Sequence, residues 1–75
     1  MTQHTDHIHV FKSNINSEAD ADYIRPALDN NPKIECWSVD LNDPDFVLRI
    51  VAPHITKPEI VKLVGLLGYE CSELE

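Results

Sequence analysis

An α+β sandwich of order βαββαβ, with its four strands in one antiparallel sheet, is predicted by three features of this 75-residue chain. Two helix starts are signalled by a hydroxyl residue followed three places later by an acid, Ser17 with Asp20 and Thr56 with Glu59. Segments rich in β-branched and aromatic residues lie before, between and after those helices. The length, with 43% hydrophobic and 25% charged residues, fits one small globular domain and leaves no room for a second.

Strand one spans about residues 7–13, where His7-Ile8-His9-Val10-Phe11 favours an extended chain. Its phase is ambiguous: Ile15 agrees with Phe11, while Ile8 and Val10 fall on the other face. Asn14 to Asn16 supply turn residues and Ser17 is a good N-cap. Glu18, Asp20 and Asp22 then place negative charge on the positive end of the helix dipole. Ala21, Ile24 and Leu28 share one helix face. Pro26 removes a backbone donor and is expected to kink the helix or shorten its regular part, and Asn30-Asn31-Pro32 ends it.

Ile34 to Leu41 resumes an extended pattern with Trp37, Val39 and Leu41 on one face, Trp37 being expected in the core. Asn42-Asp43-Pro44-Asp45 is a turn, so a hairpin leads into a third strand from Phe46 to Val51. Thr56-Lys57-Pro58-Glu59 opens the second helix, whose apolar stripe is Ile60, Leu63, Val64 and Leu67. Gly68 suits a left-handed stop, and a last strand follows at about 70–74. Two helices on one face of such a sheet make the ferredoxin-like sandwich, with spatial strand order 4-1-3-2. That topology gathers the loop before helix one, the turn at Asp43 and the turn at Gly68-Tyr69 at one end, the top. The N-terminus and the loop from strand three to helix two share the bottom.

Lys+Arg at 6 against Asp+Glu at 13 give a net charge of −7, a field that repels phosphate and makes nucleic acid and anionic membrane poor partners. No apolar stretch approaches the roughly 20 residues of a membrane span, and the first residues lack the form of a signal peptide, so the expected location is the cytoplasm. Cys36 and Cys71 are too few for a disulfide scaffold, are not spaced as a metal-binding pair, and fall on opposite edges of a 4-1-3-2 sheet, so both are expected as free thiols. Residues 1–6 read as a flexible polar tail and 7–75 as one domain, with Leu74-Glu75 having the form of a cloning remnant.

The order of these segments resembles the heavy-metal-associated domain family, the copper chaperones and metal-binding domains of copper-transporting ATPases. The resemblance covers roughly residues 8–74: Phe11-Lys12-Ser13-Asn14-Ile15-Asn16 is similar to the strand and loop before the family's metal motif, Trp37-Ser38-Val39-Asp40 to its second strand, and Leu66-Leu67-Gly68-Tyr69 to its Gly-Tyr helix ending. The resemblance implies a Cys-x-x-Cys pair binding copper(I) or zinc, where this chain has Ser17 and Asp20, with Tyr69 as their aromatic neighbour. A hydroxyl and a carboxylate are hard oxygen donors, whereas copper(I) is soft. The expected function is therefore that of a domain related to metal-transport proteins whose loop does not take copper(I) in the usual way; the alternative is a protein-interaction or dimerisation module with no metal role.

Two other features bear on function. His4, His7, His9 and His54 gather at the bottom of the topology, where imidazoles could hold zinc, nickel(II) or copper(II); with Met1 removed, Thr2-Gln3-His4 could also close a square plane of nitrogens on copper(II) or nickel(II). The sequence itself assigns no cofactor. At the top, Glu18, Asp20, Asp22, Asp40, Asp43 and Asp45 form an acidic patch without the spacing of a calcium loop. Should Phe11, Leu48 and Ile50 point inward, Ile8, Val10, Val47 and Val51 line the open sheet face as a strip for a protein partner or a second copy. Enzymatic chemistry is not expected: there is no Gly-rich phosphate loop, and Arg25 and Arg49 lie off the loop that acylphosphatase-like enzymes of this fold use.

Overall fold

The computed structural model describes residues 8–74, and the observed elements are β1 (Ile8–Ser13), α1 (Glu18–Asp29), β2 (Cys36–Val39), β3 (Leu48–Val51), α2 (Lys57–Leu66) and β4 (Cys71–Glu73). The strands form one antiparallel sheet in the order β2-β3-β1-β4, the ferredoxin-like arrangement read from its other edge. The tail expected at residues 1–6 lies outside the described residues. Among those described, no helix is long and apolar enough to cross a membrane.

Register settles the phase of β1. Phe11 pairs with Leu48 and His9 with Ile50, so these four side chains share the helix-facing side of the sheet, and all are buried. Phe11, Leu48 and Ile50 meet Ile24 and Leu28 from α1 and Ile60 and Val64 from α2 in the core, each of these seven at most 1% exposed. Burial of this apolar area is the main drive for closing the sandwich. Opposite residues in antiparallel pairs share a face, so the open face carries two rows across three strands, Cys36–Val51–Ile8 and Ser38–Arg49–Val10, with Lys12 beside Ser72 further along.

Several expectations need correction. α1 runs unbroken through Pro26; Pro26 and Asp22, whose carbonyl loses its helical donor, are both exposed, so water can satisfy that carbonyl. β2 stops at Val39, because the Asp40 carboxylate accepts from the Asn42 amide at 3.0 Å and draws Leu41 into the turn. Phe46 has φ of 47°, a left-handed value rare for an aromatic residue, which delays β3 to Leu48. Val47, expected on the open strip, is buried outside the main cluster. Trp37 is half-buried at the core margin, its Nε1–H donating to Asp29 Oδ1 at 2.8 Å while the Arg25 guanidinium stands 5.4 Å from its ring. Cys36 and Cys71 are free thiols on the two outer strands. Burial pushes the Cys71 thiol up to about 11.

Candidate functional site

The loop between β1 and α1 is pinned before it reaches the helix. Ser13 gives its amide to the Asp45 carbonyl at 3.0 Å and its hydroxyl to the Phe46 carbonyl at 2.7 Å. Asn14 donates to the Glu70 carbonyl at 3.2 Å, and its Oδ1 accepts from the Glu70 amide at 2.9 Å. These bonds join the three segments expected at the top, and Ile15, with no exposed surface, drives the loop into the core. Ser17 follows in extended conformation, φ −151° and ψ 164°, which leaves its Oγ free to accept from the Asp20 amide at 3.1 Å.

Asp20 uses both carboxylate oxygens on protein donors. Oδ2 accepts from the Asn16 amide at 3.3 Å, and Oδ1 accepts from the Tyr69 hydroxyl at 2.8 Å across 49 residues of chain. Tyr69 is placed by the way α2 ends. Gly68, at φ 95°, takes the left-handed turn, its amide donates to the Gly65 carbonyl at 3.0 Å, and the Tyr69 amide donates to the Val64 carbonyl at 3.1 Å, a paired Schellman closure. Tyr23, one helical turn after Asp20, stands with its ring 6.2 Å from that of Tyr69 and tilted by 59°.

The electrostatics follow from the hydrogen bonds. The Tyr69 hydroxyl, with help from Ser17 and the Asn16 amide and against partial desolvation, holds the Asp20 carboxyl below its ordinary value. The same bond to Asp20, together with desolvation and the nearby carboxylate charge, raises the Tyr69 phenol above its ordinary value. Ser17, Asp20 and Tyr69 thus form one network with the Asn16 amide. Its donor set does not fit a soft metal: it holds no sulfur, and its only anionic group is already bonded through both oxygens.

The other residues singled out from the sequence lie outside this network. His9 is buried, and its Nε2 donates to the Ala52 carbonyl at 3.1 Å, which leaves Nδ1 as a buried acceptor with no partner. The strand phase turns this ring into the core, whereas His54 is exposed; His4 and His7 lie outside the described residues. Among the described residues no group of three or more His, Cys, Asp or Glu side chains stands close enough to hold a metal ion. In the acidic patch, Asp40 and Asp43 cap their own turn by accepting from the Asn42 and Asp45 amides at 3.0 and 2.8 Å, and Asp22 pairs with Arg25 at 3.2 Å. Sequence reasoning missed Tyr23; its position three residues after Asp20, on the same side of a helix, was the available signal.

No family model matches this sequence, and no curated protein does. Among solved structures, the chain is similar to the solution structure of the N-terminal domain of ZntA in the Zn(II)-form, with a TM-score of 0.71 and 13% sequence identity over 91% of this chain and 92% of that one. At that identity the likeness is one of fold, the ferredoxin-like sandwich.

Proposed function

We propose that this domain is related by descent to metal-transport domains and that its β1–α1 loop has exchanged soft-metal binding for a closed hydrogen-bond network. The single observation behind this reading is that Asp20 commits one oxygen to Tyr69 and the other to the Asn16 amide, at 2.8 and 3.3 Å. A cation entering here would have to displace both donors, and a Ser hydroxyl and one carboxylate would not repay it with thiolate coordination. The ZntA domain is described in a Zn(II)-form, so zinc is tested beside copper(I).

Competition against a thiol chelator tests the reading. The wild-type protein should retain neither metal, while Ser17→Cys with Asp20→Cys should retain one equivalent. Retention of a full equivalent by the wild type at this loop, located by amide shifts at Ser17 and Asp20, would overturn the proposal. So would a folded double-cysteine variant that binds nothing.

A second reading, an interaction module without a metal role, is favoured by the open sheet face, where Ile8 is 39% exposed beside half-buried Val10 and Val51. In neither reading does the domain perform catalysis. The four histidines remain a separate proposal for zinc, nickel(II) or copper(II); within it, His54 is the exposed ligand of the described residues, while His9 would have to leave its buried bond to Ala52 before it could bind.

A further inference from the structure

We infer that the free edge of β2 is an association surface for a second copy of this chain, paired antiparallel so that the two sheets become one. The inference rests on the interaction-module reading, places the contact at the sheet edge instead of the open face, and names the partner.

In the order β2-β3-β1-β4 the outer strands are β2 and β4. The phase of the hydrogen bonds decides which backbone groups they leave free. The Asp40 amide donates to the Val47 carbonyl at 2.9 Å, in register with the β2–β3 pairs, so Ser38, two residues earlier, also turns its backbone groups toward β3. The Leu74 amide donates to the Val10 carbonyl at 3.2 Å, which fixes the same alternation from the far side of the sheet. The amides and carbonyls of Trp37 and Val39 therefore point out of the sheet, where among the described residues they have no protein partner.

The two edges are guarded differently. β4 has three residues, and its Glu73 pairs with Lys57 at 3.2 Å. Shortness and charge are common devices that keep an edge from pairing. β2, Cys-Trp-Ser-Val, contains neither charge nor proline. A hollow of about 420 Å³ lies beside it, between the strand and α1, and Ala21, Trp37, Val39 and Leu41 are among its lining residues.

This edge is complementary to itself. Its outward residues are two apart with Ser38 between them, so a two-fold axis at Ser38 sets Trp37 of each copy against Val39 of the other. Each such pair exchanges two backbone bonds, and no outward group of Trp37 or Val39 is left over. Trp37 lies opposite Ile50 and so shares the helix-facing side, where an aromatic residue facing a β-branched one is a favourable cross-strand pair. On the open face Ser38 opposes Ser38, and the exposed Cys36 comes opposite Asp40 of the other copy. The groove between the helices, lined by Ile55, Leu63 and Leu66, is the rival surface; its helical residues offer no free row of backbone groups to fix a register.

Wild-type protein is followed from micromolar to millimolar concentration at physiological salt. Sedimentation should pass from monomer to dimer, amide shifts should move at Trp37, Ser38 and Val39, and Cys36 should alkylate more slowly at the higher concentration. Association should tighten as salt rises, because each copy carries a net charge of −7. Val39→Pro removes two of the four bonds across the axis without touching the ladder to β3, and should weaken association about tenfold or more. Ser38→Lys, at an exposed position, sets like charges opposite each other and should weaken it about threefold or more with an unchanged far-ultraviolet spectrum, so the test stands even where the proline variant fails to fold. Cys36→Ser with Ser38→Cys should oxidise to a disulfide-linked dimer, since residues opposed at such a site lie about 4.5 Å apart at Cα, within disulfide range. A monomer at millimolar concentration, weakening by salt, undiminished association of Ser38→Lys, or a Ser38→Cys variant that does not cross-link would each overturn the inference. Concentration-dependent shifts at Ile8, Val10 and Val51 instead would overturn the edge and keep the interaction-module reading. Copper(I) retention is measured on the same wild-type sample, so failure of the loop proposal is seen separately.

Discussion

At the start of α2, the Glu59 amide donates to Thr56 Oγ1 at 3.3 Å and Glu59 Oε1 accepts from the Thr56 amide at 2.9 Å, a reciprocal box that closes within four residues. At the start of α1 the first half is the same, with the Asp20 amide on Ser17 Oγ at 3.1 Å, but the return is not. Asp is one methylene shorter than Glu, and its carboxylate accepts from Asn16, one residue before the cap, and from Tyr69 in the turn after α2. One helix start is self-contained. The other ties two distant segments together. A hydrogen-bonded carboxylate thus serves as the cross-link of this end of the fold.

The apolar residues before the two caps should differ most. Ile15 precedes Ser17 by two residues and has no exposed surface, whereas Ile55 directly precedes Thr56 and is only partly buried. Ile15→Ala should cost about 2–5 kcal/mol of unfolding free energy, in the range for a buried isoleucine. Ile55→Ala, which loses the sequence pattern of a staple with Ile60, should cost less than half as much. Denaturant midpoints with unchanged slopes would establish the ranking. Equal losses would mean that the β1–α1 loop is no more deeply anchored than its counterpart.

The caps themselves come next. Thr56→Ala and Ser17→Ala should each cost about 1 kcal/mol, the usual worth of an N-cap side chain. Their consequences should differ in reach. Loss of Thr56 should perturb amides within the first turn of α2, whereas loss of Ser17 should also move Tyr69 and Glu70, because the Asp20 backbone it holds carries the carboxylate that Tyr69 meets. Amide shift maps of the two variants provide the check, and confinement of the Ser17→Ala map to α1 would break the comparison.

How far the sequence foretells these two sites depends on the range of their bonds. Both caps and their acids are readable from local spacing, as are Gly68 and the gathering of three turns at the top. The Asp20–Tyr69 bond is not, since no local pattern links residues 49 apart. The phase of β1 was obscured by composition: Ile8 and Val10 argue for burial over His9, yet register places His9 inside because Phe11 and Ile50 dominate the packing. β2 came out shorter than its apolar pattern because the carboxylate of Asp40 favours a turn.

The smallest expected difference between the two helix starts is also the most selective, and it is seen in alkali. In acid the two cannot be told apart. Asp20 and Glu59 both have carboxyl values below their ordinary ones, Asp20 chiefly through Tyr69 and Glu59 chiefly through the Thr56 amide, so the stabilisation each gives is complete above its unfolded value and is lost as pH falls through its depressed one. Tyr69 behaves oppositely, since its phenol lies above the ordinary value of 10.0. Its contribution is complete below the unfolded value and is lost as pH rises through the raised one, when the proton shared with Asp20 departs and two negative groups face each other. Burial of the Cys71 thiol, raised to about 11, gives every variant an alkaline decline, so stability measured upward from pH 9 should fall further in wild type and Thr56→Ala than in Tyr69→Phe. Tyrosinate absorbance should resolve a late titration that Asp20→Asn brings earlier, by removing the facing charge. A Tyr69→Phe profile that falls in parallel with wild type would show that the two helix starts are equivalent in alkali as they are in acid.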